Sequence, residues 1–256
     1  MQILTVPAFN DNYIWLLYNP EQHACAVVDP GQSPAVLERL ESLNATLHYI
    51  ILTHHHQDHI GGVADLLSHY PNCQVIAGAE MPLPFTVHTP KEGEPFALAE
   101  LGIELTLLAT PGHTLSHVIY YDGQHLFSGD TLFNCGCGRL FEGSAQQMVS
   151  SLDKIAKLPE TTQIYAAHEY TLANLQFALT VEPTHKSLQQ YHQQMTKQRQ
   201  QGLPTIPFDL KSQLLFNPFM RCHEPSIQTA MEIHQQQRLS DRIEVFHALR
   251  TWKDRF

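Results

Sequence analysis

The chain has no surplus of positive charge: 15 Lys and Arg stand against 25 Asp and Glu, a formal net charge of −10 with histidines neutral. Nucleic-acid binders carry a basic stripe, so that partner class is set aside. Long apolar runs are absent too. Tyr13 to Tyr18, the most apolar stretch near the start, is far too short to span a bilayer. The opening Met1-Gln2-Ile3-Leu4-Thr5-Val6-Pro7 lacks the basic region and apolar core of a secretory leader. No membrane partner is expected. Cysteines are few and odd in number, at positions 25, 73, 135, 137 and 222, which gives no disulfide framework. These features together point to a reducing, cytoplasmic setting. Cys135-Gly136-Cys137 is a lone CxC without partner cysteines and reads as ordinary sequence. There is no Gly-x-Ser-x-Gly elbow to supply a serine nucleophile, and no internal repeat. No apolar face is evidently left over, so a monomer is expected.

What is present is a 256-residue chain with 43% apolar residues, enough for one large or two smaller folded domains. Up to about residue 168, short apolar runs alternate with turns and a few helices. Strands are expected at 2–6, 13–18, 24–28, 47–53, 73–77, 103–109, 117–121, 125–128 and 163–167. Asp29-Pro30-Gly31 reads as a turn. Ser33 and Pro34 read as the cap and first residue of a helix. Further helices are expected at about 60–69 and 144–157. This mixture indicates a layered α/β domain. After His168, residues 171–201 and 225–250 are rich in Gln, Leu and Ala and read as helices joined by a loop with Pro204 and Pro207. The expected division is 1–169 for an α/β domain and 170–256 for a helical one.

The sequence has 17 histidines, so most have nothing to do with a metal. The stretch Thr53-His54-His55-His56-Gln57-Asp58-His59 is different. It places His54, His56, Asp58 and His59 on one turn after the apolar run Tyr49–Leu52. Imidazole nitrogen and carboxylate oxygen are ligands for zinc, iron or manganese. Four such groups are too many for one catalytic ion that must keep a position open for water, and they suit two ions side by side. His113, Asp130 and His168 each follow another apolar run. If those strands are neighbours pointing the same way, all the donors meet at one sheet edge. One ion would then take His54, His56 and His113. The second would take Asp58, His59 and His168, with Asp130 bridging, at the usual two-metal spacing of roughly 3.5–4 Å. A bridging hydroxide would be the nucleophile, which makes Asp58 and Asp130 the carboxylates closest to the chemistry. His55 and the remaining histidines, His117 among them, read as ordinary, although one of them is a candidate to orient a ligand imidazole.

Thr53-His54-x-His56-x-Asp58-His59, Thr110-Pro111-Gly112-His113-Thr114, Gly129-Asp130 and His168 together resemble the metallo-β-lactamase superfamily. That resemblance implies an αββα sandwich with a one- or two-metal site, and leaves the substrate open. Gly136-Cys137-Gly138-Arg139-Leu140-Phe141-Glu142-Gly143, His168-Glu169-Tyr170-Thr171 and the terminal Leu249-Arg250-Thr251-Trp252-Lys253-Asp254-Arg255-Phe256 look like glyoxalase II, the hydroxyacylglutathione hydrolases. The resemblance implies an all-helical C-terminal domain that binds glutathione, two divalent ions (zinc first, iron or manganese as alternatives) and hydrolysis of S-D-lactoylglutathione in methylglyoxal detoxification. Carried over by position, Arg139, Phe141, Tyr170, Arg250 and Lys253 form the glutathione site. Phe141 stands where some members have tyrosine, Arg139 where some have lysine, and Ser116 where glycine is frequent. The rival readings are an iron-dependent dioxygenase acting on glutathione persulfide, a metal-dependent nuclease and a non-catalytic module. The full second-metal set, the acidic balance and the complete ligand set weigh against them in turn.

Overall fold

A computed structural model describes all of residues 1–256. The chain forms two compact units, Met1–Ala109 with Ser116–Gly129, and Thr110–Leu115 with Asp130–Phe256.

The first unit holds two sheets. Its strands and helices are β1 (Gln2–Ala8), β2 (Asn12–Asn19), β3 (Ala24–Val28), α1 (Pro34–Ser42), β4 (Thr46–Ile51), α2 (Gln57–Ile60), α3 (Val63–His69), β5 (Gln74–Ile76), β6 (Pro95–Leu98), β7 (Ile103–Ala109), β8 (Val118–Tyr121) and β9 (His125–Gly129). The first sheet runs β1-β2-β3-β4-β5, antiparallel from β1 to β3 and parallel from β3 to β5. In the second, β6, β7, β8 and β9 pair antiparallel in chain order. β3 is buried along its whole length and β2 in all but its last residue, so both faces are covered and the runs read as continuous hydrophobic sequence. The two sheets are tied where the buried Tyr120 hydroxyl of β8 donates to the Leu52 carbonyl after β4, at 2.9 Å.

The second unit contains β10 (Leu132–Phe133), β11 (Gly136–Cys137), α4 (Ala145–Ala156), β12 (Gln163–Ala166), α5 (Thr171–Val181), α6 (Lys186–Gln200), β13 (Phe208–Asp209), α7 (Leu210–Phe216), α8 (Pro225–Gln235) and α9 (Arg242–Asp254). β10 and β11 form a hairpin. Cys135 at its tip packs into a core with Leu175 and Ala178 of α5 and Leu188 and Met195 of α6. α4 starts with a capping box: Ser144 Oγ accepts from Gln147 N, and Gln147 Oε1 accepts from Ser144 N. Such a cap contributes about 1 kcal/mol.

Several sequence expectations are corrected. The strands that precede the donors do not share one sheet: β4 lies in the first, β7 and β9 in the second, where β8 between them makes the two point the same way. Ser33 stands at the N-cap of α1, but its hydroxyl donates to Asp65 Oδ2 instead of capping. The helix expected over 60–69 begins earlier and breaks at Gly61-Gly62 into α2 and α3. The two long helical stretches each divide, at residues 182–185 after Val181 and at 236–241, where Gln236 turns left-handed with φ of 54°. β6 was missed because it is four residues long and starts with proline. α7 was missed because it is a short helix in a stretch read as loop. Asp209, whose carboxylate accepts from Ser212 N at 2.7 Å, was the available signal.

Candidate metal centre

In the first unit the chain leaves β4 extended, and His56 becomes the N-cap of α2 with φ of −64° and ψ of 147°. That turn delivers His54, His56, Asp58 and His59 from one short segment. His54 and His59 are almost fully buried, while His56 and Asp58 are half-buried. His54 Nε2 lies 3.1 Å from His56 Nδ1. His59 Nε2 lies 3.5 Å from Asp58 Oδ2.

Asp29 sets these rings. It sits after β3 at a positive φ of 52° and is 4% exposed. One carboxylate oxygen accepts from Thr53 N at 2.8 Å, and the other accepts from Thr53 Oγ1 at 2.6 Å and from His59 Nδ1 at 2.9 Å. A carboxylate on Nδ1 fixes the tautomer, so the His59 Nε2 lone pair faces Asp58. Asn12 Nδ2 donates to Asp58 Oδ2 at 3.1 Å. His117, fully buried, stacks on His54 with centroids 4.9 Å apart. Asp29, Asn12 and His117 were not singled out from sequence. The one signal for Asp29 was an acid between a buried strand and Pro-Gly.

The second unit repeats the pattern with a different carboxylate. Asp130 Oδ2 lies 3.5 Å from His113 Nε2, and Asp130 Oδ1 lies 3.4 Å from His168 Nε2. His113 Nδ1 donates to the Arg139 carbonyl at 2.8 Å, which again leaves Nε2 as the outward lone pair. Tyr170 stacks flat on the His168 ring at 4.6 Å, and Phe133 meets its edge at 5.9 Å. Two glycines guard the carboxylates. A Cβ on Gly31 would lie 1.9 Å from the Asp58 carbonyl oxygen, and one on Gly138 would lie 2.0 Å from that of Asp130.

These residues fit metal ions. Around a tetrahedral ion with bonds of about 2.0–2.2 Å, neighbouring ligand atoms lie about 3.3–3.6 Å apart. The three imidazole–carboxylate pairs, at 3.4–3.5 Å, fall there and beyond ordinary hydrogen-bond length. Asp130 presents one oxygen to each of two histidines, as a carboxylate shared by two ions would. The donors are histidine and carboxylate only, a set that suits a dinuclear site.

The second unit also contains a cavity of about 440 Å³ whose lining includes His113 and Asp130 and all five residues expected to bind substrate, Arg139, Phe141, Tyr170, Arg250 and Lys253. Arg139, Phe141 and Tyr170 are exposed there. Arg250 is buried and held: Nε donates to Asp254 Oδ1 at 2.9 Å, Nη1 donates to the Cys137 carbonyl at 2.9 Å, and the guanidinium lies over the Phe219 ring at 5.0 Å. Burial, reinforced by the Arg250 and Arg139 guanidiniums, lowers the Lys253 pKa to about 8. Burial pushes the Cys137 thiol up to about 11 although Arg250 opposes it, so the thiol stays protonated at neutral pH. All five cysteines are free and buried.

The fold and these donors define a metallohydrolase of the metallo-β-lactamase type. A model of the Metallo-beta-lactamase superfamily matches residues 9–168, and one of the Hydroxyacylglutathione hydrolase C-terminus matches residues 169–256. A hydroxyacylglutathione hydrolase from Photobacterium profundum is 47% identical over 257 residues, covering 100% of both chains. One from Vibrio cholerae is 44% identical over 256 residues with the same coverage. Among solved structures, ETHE1 from Myxococcus xanthus superposes with a TM-score of 0.68 at 21% identity, over 98% of this chain and 91% of that one. The chain belongs to the hydroxyacylglutathione hydrolase family, within the metallo-β-lactamase superfamily. No helix is long and apolar enough to cross a membrane.

Proposed function

We propose that the chain hydrolyses S-(2-hydroxyacyl)glutathione thioesters, S-D-lactoylglutathione first among them, to a 2-hydroxy acid and glutathione. The observation that carries this reading is one cavity lined both by metal-type donors, His113 and Asp130, and by three cations, Arg139, Arg250 and Lys253. Glutathione carries two carboxylates, which guanidinium and ammonium groups bind strongly. In this reading His54, His56 and His113 would hold one divalent ion, Asp58, His59 and His168 would hold a second, and Asp130 would serve as a donor to both. Zinc is the first choice, and iron and manganese suit the same donors. When bound, such ions lower the pKa of water and polarise a carbonyl.

The chain's own groups do the rest. Asp29 and the Arg139 carbonyl orient His59 and His113. The cations bind the glutathione carboxylates and place the thioester beside Asp130. Tyr170 and Phe141 flank the bound chain, and Phe141 offers an apolar face without a hydroxyl. The leaving thiolate is a fair leaving group and needs no strong acid. Residues from 170 onward act as the substrate-binding domain and those up to 169 as the catalytic one. The five buried thiols fit a cytoplasmic setting, and a monomer is sufficient because one chain supplies every group named.

The test is loss of the thioester absorbance of S-D-lactoylglutathione, with metal content determined on the same sample. Rapid turnover with about two ions per chain supports the reading. Two ions without turnover would remove the substrate assignment.

A further inference from the structure

Lys253 presents a problem that the pocket's cations do not share equally. Arg250 is anchored by a carboxylate, and Arg139 Nε has the same Asp254 at 3.7 Å. Lys253, in the last turn of α9, has no carboxylate of its own. Its Nζ donates to the Ala173 carbonyl of α5 at 3.3 Å. It also lies over two aromatic rings, Phe177 of α5 and Phe256, at 5.4 Å from each centroid. The two rings meet edge to face at 5.3 Å, and Phe177 is locked by Trp252 at 5.4 Å and Phe219 at 6.1 Å. Phe177 is fully buried, and Phe256 is 52% exposed.

We propose that Phe177 and Phe256 are positioning residues that seat the Lys253 ammonium at the cavity wall against a pair of aromatic rings, ready for an anionic group of the substrate. This rests on the reading of the cavity as a glutathione site. A lysine on a flexible four-carbon stem swings to solvent unless something holds it. A carboxylate would hold it, but would also neutralise it and compete with the incoming anion. Ring faces attract the cation through their quadrupole and accept none of its N–H groups. One N–H goes to Ala173, leaving two of three for substrate.

The charged and titratable groups facing this ammonium are Arg250 and Asp254 of α9, Arg139 in the segment after β11, and the Cys137 thiol of β11; α5 has no titratable side chain. Burial and the two guanidiniums press the ammonium toward losing its proton near pH 8, and Asp254 opposes them. The charged form, which binds anions, is present below that pH and lost above it. KM should therefore rise as pH passes about 8.

The experiment compares Phe256→Leu and Phe256→Tyr in the metal-loaded full chain. Leucine keeps apolar cover and removes the quadrupole; tyrosine keeps both. Two quantities are read against pH: KM and kcat for S-D-lactoylglutathione, and the midpoint of Lys253 titration by NMR of labelled lysine. Phe256→Leu is expected to raise KM roughly threefold to tenfold with kcat held, and to move the midpoint below that of the parent, since the cation loses its attraction. Phe256→Tyr should restore both. A Phe256→Leu protein with the parent's KM and midpoint overturns the proposal, as does one whose kcat falls as far as KM rises. If the parent itself fails to hydrolyse the thioester, the proposed function falls, and the Lys253 midpoint still decides the seat.

Discussion

The His54–His59 segment of the first unit gathers electron-pair donors with no cation among them. The cavity wall of the second unit gathers cations that the protein has already partnered. In the first, Asp29, Asn12 and Thr53 hold the donor groups so that nitrogen and carboxylate lone pairs converge. Such an arrangement favours a positive charge from outside the chain. In the second, Arg250 rests on Asp254 and on a ring face, and Lys253 on two ring faces, so these cations are tolerated before any anion arrives. Buried charge is costly unless paired. The two regions differ in how that cost is met, one offering donors that suit metal ions and one supplying internal partners. Losing the metal should therefore disturb the first region and leave the cation wall standing.

Removing donors should produce the largest effect. Asp58→Asn is expected to cut kcat by more than about 100-fold while glutathione affinity changes little, read by steady-state kinetics, metal analysis and glutathione titration. A matching loss of affinity would break the contrast between the two regions. Asp29→Asn comes next. It keeps the size but weakens the acceptor for His59 Nδ1, and about a 10- to 100-fold loss of metal affinity or activity is expected, measured by competition with a chelator. Arg250→Ala should act on the other side of the comparison, raising KM about tenfold or more with kcat nearly held. Part of that cost is the Cys137 carbonyl left without its Arg250 donor. Arg250→Lys, which keeps the charge and loses the fork, should fall between. The smallest effect is expected from Phe141→Tyr, where one added hydrogen bond should lower KM about twofold to tenfold.

The difference between the regions also governs what could be read from sequence. Thr53 to His59 was legible because its four donors lie within six residues on one turn, so no tertiary knowledge was needed to bring them together. His113, Asp130 and His168 were legible through the ends of apolar strands that do share a sheet, whereas β4, which precedes His54, belongs to a different one. Asp29 was not legible as an orienting residue. Its role depends on the parallel neighbour β4 carrying Thr53 alongside it, a register that local sequence does not encode. His117 was set among ordinary histidines for the same reason, since only the fold brings its ring onto His54. The aromatic seats of the cations were hidden because Phe177 and Phe219 look like core residues, and they are core residues as well. Arg250 and Lys253 are assigned to the substrate site through resemblance, since by charge pattern alone a binding patch and the basic end of a helix read equally well.

The β10–β11 hairpin bears on how such a chain can be taken apart. Its backbone is served by side chains from farther along the sequence. Asn217 donates to the Phe133 and Gly136 carbonyls, Asn174 to the Asn134 carbonyl, and Gln213 accepts from Cys135 N. All of these side chains are nearly or fully buried. A chain cut after residue 168, where one family model ends, would remove the partners of four buried backbone groups together with the α5 and α6 residues that bury Cys135, and would leave the hairpin open to water. The hairpin carries Phe133, which packs on His168, and Cys137, whose carbonyl anchors Arg250. The helical segment is thus part of the scaffold for residues that precede it. Grafting a different tail onto this lactamase-like segment would have to supply those four hydrogen bonds along with a new specificity.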